Sequence, residues 1–165
     1  MITYKIDNQY ISKLIFYLII RMDSDFKEKW DTHFSMLEIK TFDKNALISM
    51  LDQVVVVLNK RGIEPNDMKG GMWASFMEGN ERYFGMMILY KSNLEFIGAS
   101  PNSGELKTFS WDFNQILSIE KVEDQKLGIV RAMELKSNQK TIQWVGLKGF
   151  VPSLFISTLE KYWYS

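Results

Sequence analysis

The chain contains no cysteine, so no disulfide framework can staple it and no thiolate can serve as nucleophile or metal ligand. That absence fits a reducing cytoplasm, which is where the protein is expected to reside. Histidine is nearly missing too. His33 is the single one, and without cysteine the usual nitrogen and sulfur metal ligands have all but gone, so an exposed or capping role suits it better. A Ser, His and carboxylate triad would have to draw on that same residue, and no nucleophile-elbow motif accompanies it. Charge of one sign is also lacking. Twenty basic side chains face twenty acidic ones, and the balance holds separately over residues 1–68 and 69–165, so no basic field draws a polyanion and nucleic acid is excluded as a partner.

Long apolar runs are missing as well. The most apolar stretch, "YISKLIFYLIIRM" (residues 10–22), is uninterrupted only from Leu14 to Ile20, far short of the roughly 20 residues that a bilayer-spanning helix needs. Acids follow it in "RMDSDFKEKW", where a secretory leader would place small residues for cleavage. The expectation is a soluble intracellular protein, and a chain of 165 residues with 46% hydrophobic content is large enough to build a core without staples.

What is present changes grammar near residue 65. Before it, "FDKNALISMLDQVVVVLNKRG" (residues 42–62) repeats apolar residues at helical spacing through Leu47, Met50, Leu51, Val54, Val57 and Leu58. Asp43 suits its N-cap, Lys60 and Arg61 suit the negative end of the helix dipole, and Gly62 suits the C′ position. The four valines 54–57 pull toward a strand. Residues 8–21 read as a second, buried helix with a strand as the alternative, and the stretch between the two holds a short amphipathic helix through Trp30. Residues 1–65 are thus expected to form a helical N-terminal segment.

After the connection "IEPNDMKGG" (63–71) come seven short strand-like pieces: 71–78, 83–91, 94–99, 105–110, 115–122, 128–136 and 140–147. Turn residues separate them, notably "GNER", "SN", "WDFN" and "SNQ". In the fifth piece Ile116, Ser118 and Glu120 alternate with Leu117, Ile119 and Lys121. In "GFVPSLFISTLEKYWYS" the residues Val151, Leu154, Phe155, Leu159, Tyr162 and Trp163 return to helical spacing, with Pro152 suited to the first turn. The predicted fold class is α+β: a helical extension, then over residues 71–165 a seven-stranded antiparallel half-open barrel closed by a C-terminal helix.

This order, over residues 71–163, resembles the pleckstrin-homology (PH) superfold, and within it the GRAM and bacterial PH-like branches. The pieces that carry the resemblance are "GMMILYKSNLEFIGA", "FSWDFNQILSIEKV" and "AMELKSNQKTIQWVGL". The resemblance implies a binding module for proteins, peptides or membrane surfaces, with no catalytic residues and no cofactor. Lipid-binding members place several Lys and Arg around the loop joining the first two strands. Here that loop is "FMEGNERYF", where Arg82 is the only base and Glu78 and Glu81 stand beside it, so the phosphate cradle is missing.

Candidate chemistry is sparse. Asp112, between Trp111 and Phe113, reads either as a buried acid that could pair with Glu95 or as a turn residue between two strands. Asp23, Asp25, Glu28 and Asp31 lack the spacing and glycine of an EF-hand loop, and Gly70 and Gly71 precede a strand where a phosphate loop would need a helix. Aromatics and Met72, Met77, Met86 and Met87 remain, and exposed apolar patches mark partner sites. Trp73, Trp111, Trp144, Phe155 and Trp163 form the candidate interaction surface, whether for self-association, a protein partner or packing against residues 1–65, with burial in the core as the alternative that alternation suggests. The leading expectation is protein–protein interaction with homo-oligomerisation as its simplest case. Peripheral membrane association is the first alternative and a carboxylate-based enzyme the second.

Overall fold

The computed structural model describes residues 44–165 apart from residue 148, with side-chain surroundings from residue 52 onward. The helix expected before residue 44, the short one through Trp30, His33 and the Asp43 cap lie outside the described residues. Helix α1 spans Lys44–Lys60. It ends as the sequence suggests: Gly62 takes a φ of 68°, its N–H donates to Asn59 O at 3.0 Å, and the Ile63 N–H reaches back to Leu58 O at 3.0 Å. These two bonds form a Schellman stop, which only a residue tolerant of positive φ permits cheaply.

Seven antiparallel strands follow: β1 (Gly70–Glu78), β2 (Glu81–Leu89), β3 (Asn93–Ala99), β4 (Leu106–Asp112), β5 (Ile116–Asp124), β6 (Ile129–Ser137) and β7 (Thr141–Gly146). Helix α2 (Ser153–Trp163) closes the chain. The strand order across the sheet is β4-β3-β2-β1-β7-β6-β5. Neighbours in sequence are neighbours in space except at β4 and β5, which form the two free edges, and the long-range seam is β7 on β1. This architecture, a seven-stranded antiparallel sheet with a C-terminal helix, fits a PH-like barrel.

The sheet curls because its inner face carries one continuous core. Met72, Ala74 and Phe76 of β1 pack with Met87 and Leu89 of β2, with Phe96 of β3 and with Trp144 of β7. Phe76 is the hub. Its ring meets Phe96 edge-on at 4.6 Å, Phe109 at 4.9 Å and Trp111 at 5.9 Å, and contacts of this geometry contribute about 0.5–1.5 kcal/mol each beyond area burial. Curvature at β2–β3 relies on two facing glycines, Gly85 and Gly98. A Cβ on Gly85 would lie 2.1 Å from the Ile97 carbonyl oxygen, so the strands approach where any side chain would hold them apart.

Helix α2 caps this core with Phe155, Ile156 and Leu159. The periodicity reading differs at one turn, because Leu154 is 44% exposed while Ile156 takes the inward position. Strand β5 also departs from simple alternation. A register shift between Ile116 and Ser118 turns both Ile116 and Ile119 toward the core and leaves Leu117 65% exposed, as an inserted residue in a bulge must.

The outer face of the sheet is divided. Over β1–β3 it is apolar and covered: Trp73, Met86, Ile88 and Ile97 form a second cluster with Val54, Val55 and Leu58 of α1. Over β5–β7 it is polar, with Lys136 bridging Glu120 at 3.1 Å and Glu134 at 3.3 Å. All four valines therefore lie in a helix after all, three of them turned toward the sheet. Val54 and Val55 are buried and Val57 half-buried, while Val56 faces out, and burial against the sheet outweighs their weak helix propensity.

Candidate functional site

The five aromatic residues of the candidate surface divide. Trp111, Trp144 and Phe155 are buried in the inner core, Trp73 is buried beneath α1, and only Trp163 is half-exposed. Trp111, Trp144 and Phe155 thus belong to the core, and Trp73 packs against residues 1–65 through α1. The reason is the two-sided sheet: α2 and the inner face claim three of them, and α1 gives Trp73 an apolar neighbour on the face that alternation leaves open.

Asp112 is exposed. It ends β4 opposite Asn93 and precedes the 3-10 turn Phe113–Gln115, with ordinary extended dihedrals and no side-chain capping bond. The turn is instead fixed by backbone, since the Phe113 N–H donates to Ser92 O at 2.9 Å, and by Trp111 and Phe113 packing inward. Glu95, its suggested partner in chemistry, is committed elsewhere. The carboxylate is 2% exposed and receives the Arg61 guanidinium in a bidentate clasp at 2.6 and 2.9 Å. The Tyr90 hydroxyl donates to the same oxygen at 3.3 Å. Paired on two sides, Glu95 fastens the end of α1 to β3. The hydrogen bonds to Glu95 hold the Arg61 guanidinium more firmly protonated than usual. Burial, with the nearby Glu95 charge, pushes the Tyr90 phenol well above its ordinary range. The strand "NLEFIGA" contained the clue, for a glutamate sharing the Ile97 face needs a cation once that face is covered.

At the end of the barrel formed by the β1–β2 hairpin two lysines are occupied, and Arg82, the base of the loop itself, stands alone and exposed among the described residues. Lys140 Nζ lies 2.6 Å from Glu78, and Lys107 Nζ donates to the Tyr83 hydroxyl at 3.2 Å, which in turn donates to Glu81 at 3.0 Å. Clustered free donors, the requirement for a phosphate, are not assembled there. Among the described residues, no three His, Cys, Asp or Glu side chains converge as a metal site, and no helix is long and apolar enough to cross a membrane.

The opening that the sheet leaves lies where β4 and β5 fail to pair. A cleft of about 280 Å³ sits there. Phe109, Trp111 and Ile116 make its floor, and Ser110, Gln115, Asn138 and Gln139 supply an uncharged rim of hydroxyls and amides. Lys140, at the margin, is the lysine held by Glu78. One wall is the free edge of β4, with backbone donors and acceptors that no neighbouring strand uses; the other is the start of β5 at Ile116 and the β6–β7 turn Ser137–Lys140. The PH-like resemblance implies a peptide site beside the C-terminal helix, along the free edge of the strand after the turn; the cleft touches the start of that edge at Ile116, while its other lining comes from the ends of separate hairpins, none of which carries a motif.

No known family profile matches the sequence, and no curated protein matches it. Among solved structures, the chain is similar to the C-terminal domain of an unknown protein from Leishmania infantum, at 21% identity and a TM-score of 0.46, over 59% of this chain and 84% of that one.

Proposed function

We propose that the chain is a non-enzymatic PH-like binding module of the GRAM-like kind, which engages a protein segment at the β4–β5 opening, a second copy of the chain being the simplest partner. The observation that carries this reading is the opening itself: the unpaired edge of β4 facing the start of β5 and the β6–β7 turn, an apolar floor and a rim of amides and hydroxyls. Such a lining suits a peptide backbone with an apolar side chain, the pattern of strand addition. It does not suit a phosphate, which would ask for a cluster of free cations. Leu117, exposed beside the floor residue Ile116, extends the apolar contact along the β5 edge.

Light scattering on the full chain across rising concentrations tests the second-copy form. A concentration-dependent dimer is expected, and Leu117→Lys should weaken it by roughly tenfold, about 1.4 kcal/mol. A strict monomer at every concentration would remove the second copy as partner. Co-sedimentation with neutral or anionic vesicles, unchanged by Leu117→Lys, would favour a membrane surface instead.

A further inference from the structure

Strand β1 has a second, shorter free edge away from that opening. Only Ala74, Ser75 and Phe76 pair with β7, and the last link is the Leu147 N–H donating to Trp73 O at 3.3 Å. Alternation along the strand turns the N–H and C=O of Gly71 to the same side as those of Trp73. There the chain has already left the sheet: the Gly149 N–H folds back onto Gly146 O at 2.9 Å and the Val151 N–H bonds Val130 O at 2.7 Å. Gly71 is buried, and among the described residues no strand partner takes its outward donor and acceptor, a situation that native backbones seldom leave unfilled.

Helix α2 faces this edge across a groove of about 360 Å³. Gly70 and Gly71, without side chains, form one wall, and Leu154, Phe155 and Tyr162 form the other. The Thr158 hydroxyl is turned onto its own helix, donating to Leu154 O at 2.7 Å, which leaves the slot apolar between its backbone groups. Lys69 and Lys161 stand at the rim. Lys69 Nζ donates to Asn66 O at 2.8 Å and Lys161 lies over the Tyr162 ring at 5.4 Å. Among the described residues neither has a carboxylate in ion-pair range, in contrast to Lys121, Lys136 and Lys140.

We propose that this groove is a separate docking site for an extended acidic peptide segment of a protein partner. The peptide backbone adds to Gly71 as a short strand, an apolar side chain fills the slot between Gly70 and Leu154, and flanking carboxylates meet Lys69 and Lys161. Charge and backbone together select this occupant. A fatty-acid anion would satisfy the lysines and the slot but leave the Gly71 N–H and C=O unpaired, whereas a peptide satisfies all three. The groove shares no lining residue with the β4–β5 opening, so its test stands apart from that reading.

The test is amide-resolved NMR on the isotope-labelled full chain, titrated with acetyl-Glu-Leu-Asp-Val-Glu-amide and, separately, with octanoate. The peptide is expected to shift the Gly70 and Gly71 amides saturably. The charge-reversed variant K69E/K161E should bind it roughly tenfold or more weakly, since two charge-assisted contacts are inverted, and should accept acetyl-Lys-Leu-Lys-Val-Lys-amide in its place. An unchanged melting curve for K69E/K161E confirms that the lysines act at the surface. The proposal is overturned if the Gly71 amide does not respond to the peptide or if the variant binds it as wild type does. It is equally overturned if octanoate reproduces the Gly71 shift and competes with the peptide.

Discussion

Removing Arg61 isolates the contact that fastens α1 to the sheet. In Arg61→Ala the Glu95 carboxylate, 2% exposed, keeps only the Tyr90 hydroxyl at 3.3 Å. Stranding a buried charge by deleting its partner costs about 3–5 kcal/mol when both members are buried. Here Arg61 is itself 42% exposed, so water can reach part of the space it vacates, and the expected loss falls to about 2–3 kcal/mol. The reverse deletion is not symmetrical. In Glu95→Leu the guanidinium turns to solvent and the apolar side chain joins Ile97 and Met86, leaving the Tyr90 hydroxyl as the main loss, about 1 kcal/mol. The double variant R61A/E95L should then be no less stable than E95L alone. Urea unfolding followed by tryptophan fluorescence reads these differences: with a slope of about 1–3 kcal/mol per molar, R61A should lower the midpoint by roughly 1 M. Equal damage from E95L and R61A, or losses that simply add in the double variant, would refute the argument that buried charge is what sets the cost.

Three further outcomes follow from the same structure. Asp112→Asn should change stability by less than about 0.5 kcal/mol, while Trp111→Ala should cost about 3–5 kcal/mol; thermal melts of the two variants side by side check the contrast. Gly146→Ala should destabilise by about 3 kcal/mol or more, because the new Cβ would sit 1.8 Å from the Phe150 carbonyl oxygen and the backbone leading to α2 must shift; a variant that melts like wild type contradicts this. Stability should fall as pH rises above about 10, where unfolded tyrosine ionises while burial keeps the Tyr90 phenol protonated in the folded state. The unfolded chain then holds fewer protons than the native one and is favoured. Tyr90→Phe should flatten that alkaline decline in a pH series of urea midpoints, and an unaltered slope would exclude Tyr90 as its source.

The strands were legible because each is short, β-rich and bounded by turn residues. The stretch "GMWASFME" became β1 from Gly70 to Glu78, and "KTIQWVGL" became β7 from Thr141 to Gly146. Helix α1 was legible through its periodicity and Gly62, despite the valines. What escaped was the second side of the sheet. Nothing in the local pattern of "GMWASF" tells that Trp73 will be covered, because the cover comes from Val54, Val55 and Leu58, and that docking depends on the whole sheet having formed. The Arg61–Glu95 clasp spans 34 residues and shows in the sequence only as an unexplained charge on an apolar strand. Leu117 was assigned a face by strict alternation, and the bulge beside Ile116 re-phased it. The linings of both grooves escaped for a related reason, since each is made by chain segments that fail to pair, and an unmade bond has no sequence signature; only the resemblance pointed to the free edge of β5.

The strand order β4-β3-β2-β1-β7-β6-β5 can be read as a ring cut once. Walking round it, every strand follows its neighbour in sequence, the seam at Ala74–Phe76 joins the last strand to the first, and the cut falls at the three-residue turn Phe113–Gln115. Both long sheet edges therefore begin at one place. A molecule with edges on opposite sides could pass strands from copy to copy and grow without limit. On the reading proposed above, a guest seated at the cut reaches the place where both edges start, and the light-scattering series reads whether assembly there ends in pairs or continues.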